Sequence, residues 1–217
     1  MPAMRAVVFD WDGTLADTLP LMYAATEEVV VSFGLCLAWE DYCRLWTPDW
    51  RRLYRLIGLP PDLIEEAGRR WWAIYRGRDE AELLPGAAEA LGRLHGAGYP
   101  LALVTAGHRD NVGTQLRRHG LEDLLPVRVH GDDLAEAKPD PAPLLRAIRE
   151  LGLGPTAVGT AYVGDAFDDM RMARAAGARA VGIDSVLGDE ASLRAAGADE
   201  TAPSVAAWVD RFLGPRV

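Results

Sequence analysis

The chain alternates short apolar segments with segments of helical periodicity, and this alternation constrains its fold more strongly than any other feature. The apolar segments are rich in β-branched residues, which is typical of buried strands. Strands are predicted at 4–9, 100–105, 127–130, 160–164 and 178–183, with a last short strand or loop at 197–201, and helices at 86–97, 109–119, 141–151, 167–176 and 205–212. Such alternation favours an α/β fold, which we expect to be a Rossmann-like, doubly wound parallel sheet.

A helical insertion interrupts this alternation. Between Leu19 and Ile74 the apolar and aromatic residues follow helical spacing. Helices are predicted at 19–33, 38–46, 49–57 and 62–76, with a return linker at 77–85. We therefore expect an α/β core domain formed by 1–16 and 81–217, with a small all-α domain at 17–80 inserted into it. Most of the tryptophans in the insertion are expected to fill its small core.

Composition and charge exclude several classes of function. The 217 residues carry a net charge of -9, which argues against a general affinity for nucleic acid or anionic membranes. No apolar run approaches the length of a membrane span and the N-terminus enters a strand almost at once, so we expect a soluble, unexported, cytoplasmic protein. Cys36 and Cys43 match no metal-ligand spacing, and the histidines form no cluster, so neither a disulfide nor a zinc site is expected.

Polar residues stand at the ends of three predicted strands. Asp10 and Asp12 follow the first strand, the second strand runs into Thr105, and Asp165 follows the strand at 160–164. Open α/β sheets bind their ligands at the carboxyl ends of their strands. Two carboxylates at such a place can act as nucleophile and proton donor, although aspartates after a strand are also common in solvated turns.

Lys138 is the only lysine among 23 basic residues. It stands in the sequence Lys138-Pro139-Asp140-Pro141, between the predicted strand at 127–130 and the next helix. A compact ammonium fits a tight oxyanion site, whereas a planar guanidinium needs more room. Lys138 is therefore a candidate ligand for an anion, with a chance surface lysine as the alternative.

In this order, the segments resemble the four signature motifs of the haloacid dehalogenase superfamily, and the likeness covers nearly the whole chain. The matches are Asp10 and Asp12 in the first motif, Thr105 in the second, Lys138 in the third, and Gly164-Asp165 with Asp169 in the fourth. The chain is most similar to the phosphoglycolate-phosphatase-like group, whose small helical cap is inserted just after the first motif. The resemblance also implies that the backbone carbonyl of Asp12 faces a metal ion.

The two aspartates can carry out phosphate-ester hydrolysis if cations offset the repulsion between carboxylate and phosphate. Two unit charges 4 Å apart interact by about 4 kcal/mol at an effective dielectric of 20. Mg²⁺, held by Asp10 and Asp165, and the ammonium of Lys138 would supply the compensation. We therefore expect Asp10 to form an aspartyl-phosphate and Asp12 to serve as general acid and base.

Further residues are expected to support this reaction. The phosphate ligands predicted from the chain are the backbone of Trp11, the hydroxyl of Thr105, the amides of Ala106 and Gly107, and Lys138. Asp169 is expected to orient metal-bound water or Lys138, a role for which Asp168 competes. His108 faces the leaving group or, as we favour, caps the helix that begins at Arg109.

The substrate is expected to be a small phosphorylated metabolite, which the sequence does not identify. The inserted helices would select it, because the resemblance places them over the active site. The candidate contacts are Arg44, Trp46, Trp50, Arg51 and Arg52.

Several alternatives remain open. A sugar phosphomutase uses the same four motifs and differs in how long its phospho-enzyme survives. A phospho-accepting signalling domain combines similar residues, although the helical insertion speaks against it, and a silent binding module is a further possibility. A haloalkanoate dehalogenase does not need Asp12, and a phosphonate-cleaving relative would need a lysine in the cap, where there is none.

Overall fold

The computed structural model describes residues 4–47, 49–76 and 81–214, which form two compact units. The first unit comprises the described parts of Met1–Asp17 and Glu82–Val217, and the second comprises those of Thr18–Ala81. The predicted domain division placed both junctions one residue earlier. Within the described ranges, no helix is both long and apolar enough to cross a membrane.

The first unit is built on a parallel sheet. Its strands are β1 (Ala6–Phe9), β2 (Leu101–Val104), β3 (Val127–Val129), β4 (Thr160–Gly164), β5 (Arg179–Ile183) and β6 (Glu200–Ala202). Their spatial order is β3-β2-β1-β4-β5-β6, and each neighbouring pair is parallel. The chain therefore extends the sheet from β1 in both directions, which confirms the predicted doubly wound α/β fold.

The second unit is helical. Its elements are α1 (Leu19–Ser32), α2 (Trp39–Leu45), α3 (Trp50–Ile57), a 3₁₀ turn at Pro61–Leu63 and α4 (Ile64–Tyr75). The single helix predicted at 62–76 starts later, because the amide of Leu63 donates to the carbonyl of Pro60 in a tighter turn. Four tryptophans pack against the core of this unit, as expected for a small insertion: Trp39, Trp46, Trp50 and Trp71. The predicted return linker falls partly on residues 77–80, which lie outside the described residues.

The helices of the first unit alternate with its strands. They are α5 (Ala87–Gly96), α6 (Arg109–Arg118), α7 (Ala142–Glu150), α8 (Phe167–Ala176), α9 (Glu190–Ala196) and α10 (Val205–Leu213). Helix α9, of seven residues, was not predicted. Its signals are at its ends: the Asp189 side chain accepts from the Ser192 amide, and Gly197 ends the helix with a φ of 115°.

Strand β1 buries both of its faces. Val7 and Phe9 of β1 belong to one apolar cluster, with residues of α5, α6 and α10, whereas Val8 belongs to a second cluster with residues of α7 and α8. Successive side chains of a strand point to opposite faces, so one short strand supports both cores. The rigid position of β1 in turn determines where the residues after Phe9 begin.

Two backbone hydrogen bonds join the chain where it leaves the first unit and where it returns. The amide of Asp17 donates to the carbonyl of Glu82 over 2.8 Å, and the amide of Leu84 donates to the carbonyl of Leu15 over 2.9 Å. An antiparallel bridge pairs Ala16 with Leu83 between them. The ends of the insertion are therefore adjacent in the first unit.

Candidate active site

Three neighbouring strands bring the predicted residues together at one edge of the sheet. β1 lies between β2 and β4, and Asp10, Thr105 and Asp165 each directly follow one of these strands. The amide of Asp10 donates to the carbonyl of Val163 over 2.9 Å, which continues the pairing of β1 with β4 past the end of β1. The backbone of Asp10 is thus held by the sheet itself.

Lys138 lies between two buried carboxylates. Its Nζ atom is 2.7 Å from Oδ1 of Asp10 and 2.8 Å from Oδ1 of Asp169, and its side chain is only 6% exposed. Burial alone would lower the pKa of Lys138, but the two carboxylates raise it above its ordinary value. The ammonium therefore stays charged beside Asp10.

Asp169 is held in place by several donors. Besides Lys138, the hydroxyl of Tyr162 lies 3.2 Å from Oδ1, and the amide of Ala166 donates to Oδ2 over 3.1 Å. Asp168 instead forms an ion pair with Arg171 over 3.0 Å. Of the two candidates for orienting Lys138, it is Asp169 that contacts it.

Tyr162 was missed by sequence reasoning. It belongs to the buried strand β4, and its hydroxyl also lies 2.9 Å from the carbonyl oxygen of Val104 in β2. Its signal in the sequence is a phenolic hydroxyl within a mostly apolar strand. The hydroxyl links the carboxylate cluster to the backbone of a second strand.

The two carboxylate oxygens of Asp165 differ in their hydrogen bonds. Oδ1 accepts from the hydroxyl of Thr14 over 3.1 Å, whereas Oδ2 is buried without a hydrogen-bond partner. A Cβ atom on Gly13 would lie 2.4 Å from this Oδ2, and Gly13 has a φ of 73°, a conformation that favours glycine. The turn after Trp11 therefore needs glycine for two independent reasons.

The carboxylates of Asp10, Asp165 and Asp169 fit a divalent cation. One oxygen of each lies within 4.8 Å of the others. When all three buried carboxylates are ionised, they and the ammonium of Lys138 leave two negative charges, and carboxylate oxygens are the ligands that Mg²⁺ prefers. Because protein donors bind both oxygens of Asp169, the free oxygen of Asp165 and the carboxylate of Asp10 are the better candidates for metal ligands.

Burial and mutual repulsion make this cluster less acidic. Burial and the neighbouring Asp169 raise the pKa of Asp165 to about 7. Burial also raises the pKa of Asp10 well above its ordinary value, although Lys138 opposes the shift. A bound cation would favour the ionised forms and so offset this cost.

Asp12 lies on the more exposed side of the site. It is partly exposed, whereas Asp10 is buried. The hydroxyl of Thr105 lies 3.3 Å from Oδ2 of Asp12 and accepts from the amide of Gly107 over 2.9 Å. A partly exposed carboxylate, a hydroxyl and a backbone amide therefore converge beside the buried carboxylates.

The side chain of Trp11 fixes the backbone between the two aspartates. Its indole is fully buried, and its Nε1 donates to Oε1 of Gln115 over 2.6 Å. Its carbonyl accepts from the amides of Thr14, Leu15 and Ala16. Phosphate binding by the backbone amide of Trp11 remains a prediction, and Gln115 was not identified from the sequence.

His108 does not cap helix α6 with its side chain. It occupies the N-cap position, yet its side chain makes no capping hydrogen bond. The amide of Arg109 instead donates to Oδ1 of Asp132, a residue of the loop after β3, over 2.9 Å. The predicted N-cap position of His108 is confirmed, but a carboxylate from another segment, that of Asp132, supplies the hydrogen-bond acceptor.

The five specificity candidates lie in the helical unit. Arg44 pairs with Asp41 over 2.7 Å, and Arg51 pairs with Glu65 over 2.6 Å while lying 4.1 Å from the ring centre of Trp50. Two further candidates remain: Arg52 is exposed, and Trp46 packs against the core of the unit. Their contact with a substrate remains a prediction.

Comparisons with known proteins agree on one family. The model of the haloacid dehalogenase-like hydrolase family matches residues 7–183. The phosphoglycolate phosphatase of Salmonella paratyphi A is 32% identical over 206 residues, with 83% of this chain and 81% of that protein covered.

Solved structures give the same result for the fold. A haloacid dehalogenase-like family protein of Streptococcus pneumoniae has a TM-score of 0.86 at 22% identity, with 98% of this chain and 100% of that chain covered. CbbY from Rhodobacter sphaeroides, solved in complex with phosphate, has a TM-score of 0.78 at 28% identity, with 94% of this chain and 95% of that chain covered.

Without divalent cations, the free energy of unfolding should fall as the pH rises from about 4 to about 7. The folded-state pKa of Asp165, about 7, lies above its ordinary value of 3.8. The stability that Asp165 contributes is therefore fully present below pH 3.8, and it is lost as the pH rises through about 7. This group contributes a slope of at most about 1.4 kcal/mol per pH unit, which denaturant titrations in EDTA would measure.

Mg²⁺ should reverse this loss, raising the unfolding midpoint by about 3–10 °C at roughly ten to a hundred times its dissociation constant. The rise should be larger at pH 8 than at pH 5, because protons compete with the cation. Asp165→Asn should abolish the rise, and Asp168→Asn, which alters a carboxylate paired with Arg171, should keep it. An unfolding midpoint of the wild type that does not change on addition of Mg²⁺ would contradict the metal site.

Gly13→Ala should weaken the stabilisation by Mg²⁺, whereas Gly98→Ala should not. Both glycines have a positive φ, and each substitution is expected to cost about 1–2 kcal/mol of stability. The new Cβ atom at residue 13 would contact the carboxylate of Asp165, whereas a Cβ atom at residue 98 would contact nothing within 4 Å. Equal responses of the two variants to Mg²⁺ in thermal unfolding would show that the contact is unimportant.

Proposed function

The chain belongs to the haloacid dehalogenase-like hydrolase family, and we propose that it is a Mg²⁺-dependent phosphatase that hydrolyses a small phosphomonoester through an aspartyl-phosphate. The observation that carries this proposal is the position of Lys138, within 2.8 Å of both Asp10 and Asp169. A buried ammonium at the nucleophile can hold a phosphoryl oxygen while the carboxylate attacks.

In the first step, a carboxylate oxygen of Asp10 attacks phosphorus and the bond to the ester oxygen breaks. Asp12 donates its proton to the departing alkoxide. Its partial exposure suits this role, because the leaving group must be able to depart towards solvent. The product of this step is an alcohol and a phosphoryl group on Asp10.

In the second step, a water molecule attacks the same phosphorus and the bond to Asp10 breaks. Asp12, now ionised, accepts the proton of the water, so one residue serves as acid and then as base. Inorganic phosphate leaves and both aspartates return to their starting states. Two easier steps thus replace one difficult displacement.

Five donors of this chain would stabilise the charge that spreads over the phosphoryl oxygens. They are the ammonium of Lys138, the hydroxyl of Thr105, the amides of residues 106 and 107, and the amide of Trp11. Mg²⁺, held by Asp10, Asp165 and the carbonyl of Asp12, would neutralise phosphate charge when bound. Asp169 would keep Lys138 directed at the nucleophile.

The substrate class is a small phosphorylated metabolite, and phosphoglycolate is the first candidate to assay, because the relative from Salmonella is a phosphoglycolate phosphatase. Nucleoside monophosphates and sugar phosphates complete the panel. We propose that Arg44, Trp46, Trp50, Arg51 and Arg52 select among them. Arg52 is the first to test, because it is exposed and its side chain has no ion pair among the described residues.

Asp10→Asn should lower the hydrolysis of p-nitrophenyl phosphate and of the best metabolite by about a thousandfold or more, because an amide cannot act as the nucleophile. Asp168→Asn is the matched control and should keep wild-type rates. Release of p-nitrophenol is the measurement. The function would be contradicted by a wild type that stays inactive across divalent metals and a broad phosphate panel.

Asp12→Asn should form the phospho-enzyme and then stall. Nitrophenolate leaves without a proton donor, whereas the attack of water needs a base. Stopped-flow mixing with p-nitrophenyl phosphate should give a stoichiometric burst, and intact-protein mass spectrometry should find one added phosphoryl group. The double variant with Asp10→Asn should give no burst.

In the wild type, conversion of a hexose phosphate to its isomer without release of phosphate would favour a phosphomutase.

A further inference from the structure

The segment His130–Asp133, directly after β3, joins the loop that carries Lys138 to two helices. Asp133 has a buried side chain, which accepts from the amide of His130 over 3.0 Å and pairs with the guanidinium of Arg109 at the start of α6. Its carbonyl accepts from the guanidinium of Arg146, in α7, over 3.2 Å. Lys138 follows only five residues later.

The neighbouring carboxylate reaches the same point of α6. Oδ1 of Asp132 accepts from the amide of Arg109 over 2.9 Å, and its Oδ2 lies 3.3 Å from Nε2 of His108. His108 and Arg109 directly follow the Thr105–Gly107 loop, which carries the proposed phosphate donors. Two aspartates thus bind the chain just after these donors.

Gly131 packs against that loop with no space for a side chain. Its amide donates to the carbonyl of Gly107 over 3.1 Å, and a Cβ atom on Gly131 would lie 2.2 Å from the carbonyl oxygen of Ala106. In a trans peptide, C=O and N–H point in opposite directions. The contact at the Ala106 oxygen therefore also directs the amide of Gly107, which donates to Thr105.

Asp133 is the charged side chain of the segment His130–Asp133 that pairs with Arg109. Its pKa is held below its ordinary value, because the amide of His130 and the guanidinium of Arg109 outweigh the effect of burial. Burial and the nearby Arg109 lower the pKa of His130. The ion pair of the segment is therefore Asp133 with Arg109.

We propose that Asp133 is a positioning residue which, through Arg109, holds the Thr105–Gly107 loop and the loop of Lys138 in one relative position. The amide of Gly107 and the ammonium of Lys138 come from different loops, yet both must reach one phosphoryl group. A misplacement of about 1 Å can cost a hundredfold in rate. This role rests on the proposed phosphatase function.

Asp133→Asn should lower kcat/KM for p-nitrophenyl phosphate by about ten- to a hundredfold. It should also weaken the binding of inorganic phosphate about tenfold, because the charged donor of the site, the ammonium of Lys138, is displaced. Arg109→Gln removes the same ion pair from its exposed partner, and so serves as a second variant if Asp133→Asn does not fold. The effects of the two substitutions should not add in the double variant, since each disrupts one shared contact.

Asp210→Asn is the control for the loss of an ion pair between two elements. It breaks the ion pair of Asp210 with Arg93, which joins α5 to α10, two helices that carry none of the site residues. This variant should lose stability with unchanged kcat, KM and phosphate affinity. If Asp133→Asn and Arg109→Gln behave in the same way, Asp133 is merely structural and the proposal is overturned.

Phosphate affinity should be measured by isothermal titration calorimetry in the presence of Mg²⁺, because this readout needs no turnover. A wild type that binds phosphate but hydrolyses nothing would contradict the proposed function alone. Equal phosphate affinities of the wild type and the Asp133 variant would contradict the positioning role alone.

Discussion

The buried ammonium of Lys138, bound between Asp10 and Asp169, is the interaction on which the rest of the site depends. Three buried carboxylates near one another would repel strongly, and the lysine offsets part of that charge without offsetting all of it. The remainder matches a divalent cation. The site therefore carries an excess of negative charge that a divalent cation would offset.

The sheet makes this arrangement possible because it places distant parts of the sequence at one edge. β1, β2 and β4 are neighbours, and each ends in a residue of the site. Lys138 comes from a loop outside these strands, so its position depends on contacts made by that loop. Gly131 and Asp133 provide such contacts, which extend the site beyond the groups that would touch a substrate.

Much of the fold could be predicted from the sequence, because buried strands and helices leave a local period in it. Asp10, Thr105 and Asp165 could be found in the same way, since a polar residue after an apolar run marks the end of a strand. Side-chain pairs between distant segments leave no such period. The contact of Gln115 with Trp11 and that of Tyr162 with the backbone of Val104 could therefore not be predicted, and α9 was missed.

The paired backbone at residues 15–17 and 82–84 has a consequence for how such a protein can change over time. These hydrogen bonds hold the two ends of the inserted segment together next to the Asp10–Asp12 turn. The segment therefore leaves the first unit and returns to it at one place, whatever its length. Recombination could exchange that segment while β1 and the turn keep their partners. The proposed selectivity and the proposed chemistry would then be inherited as separate parts of one gene.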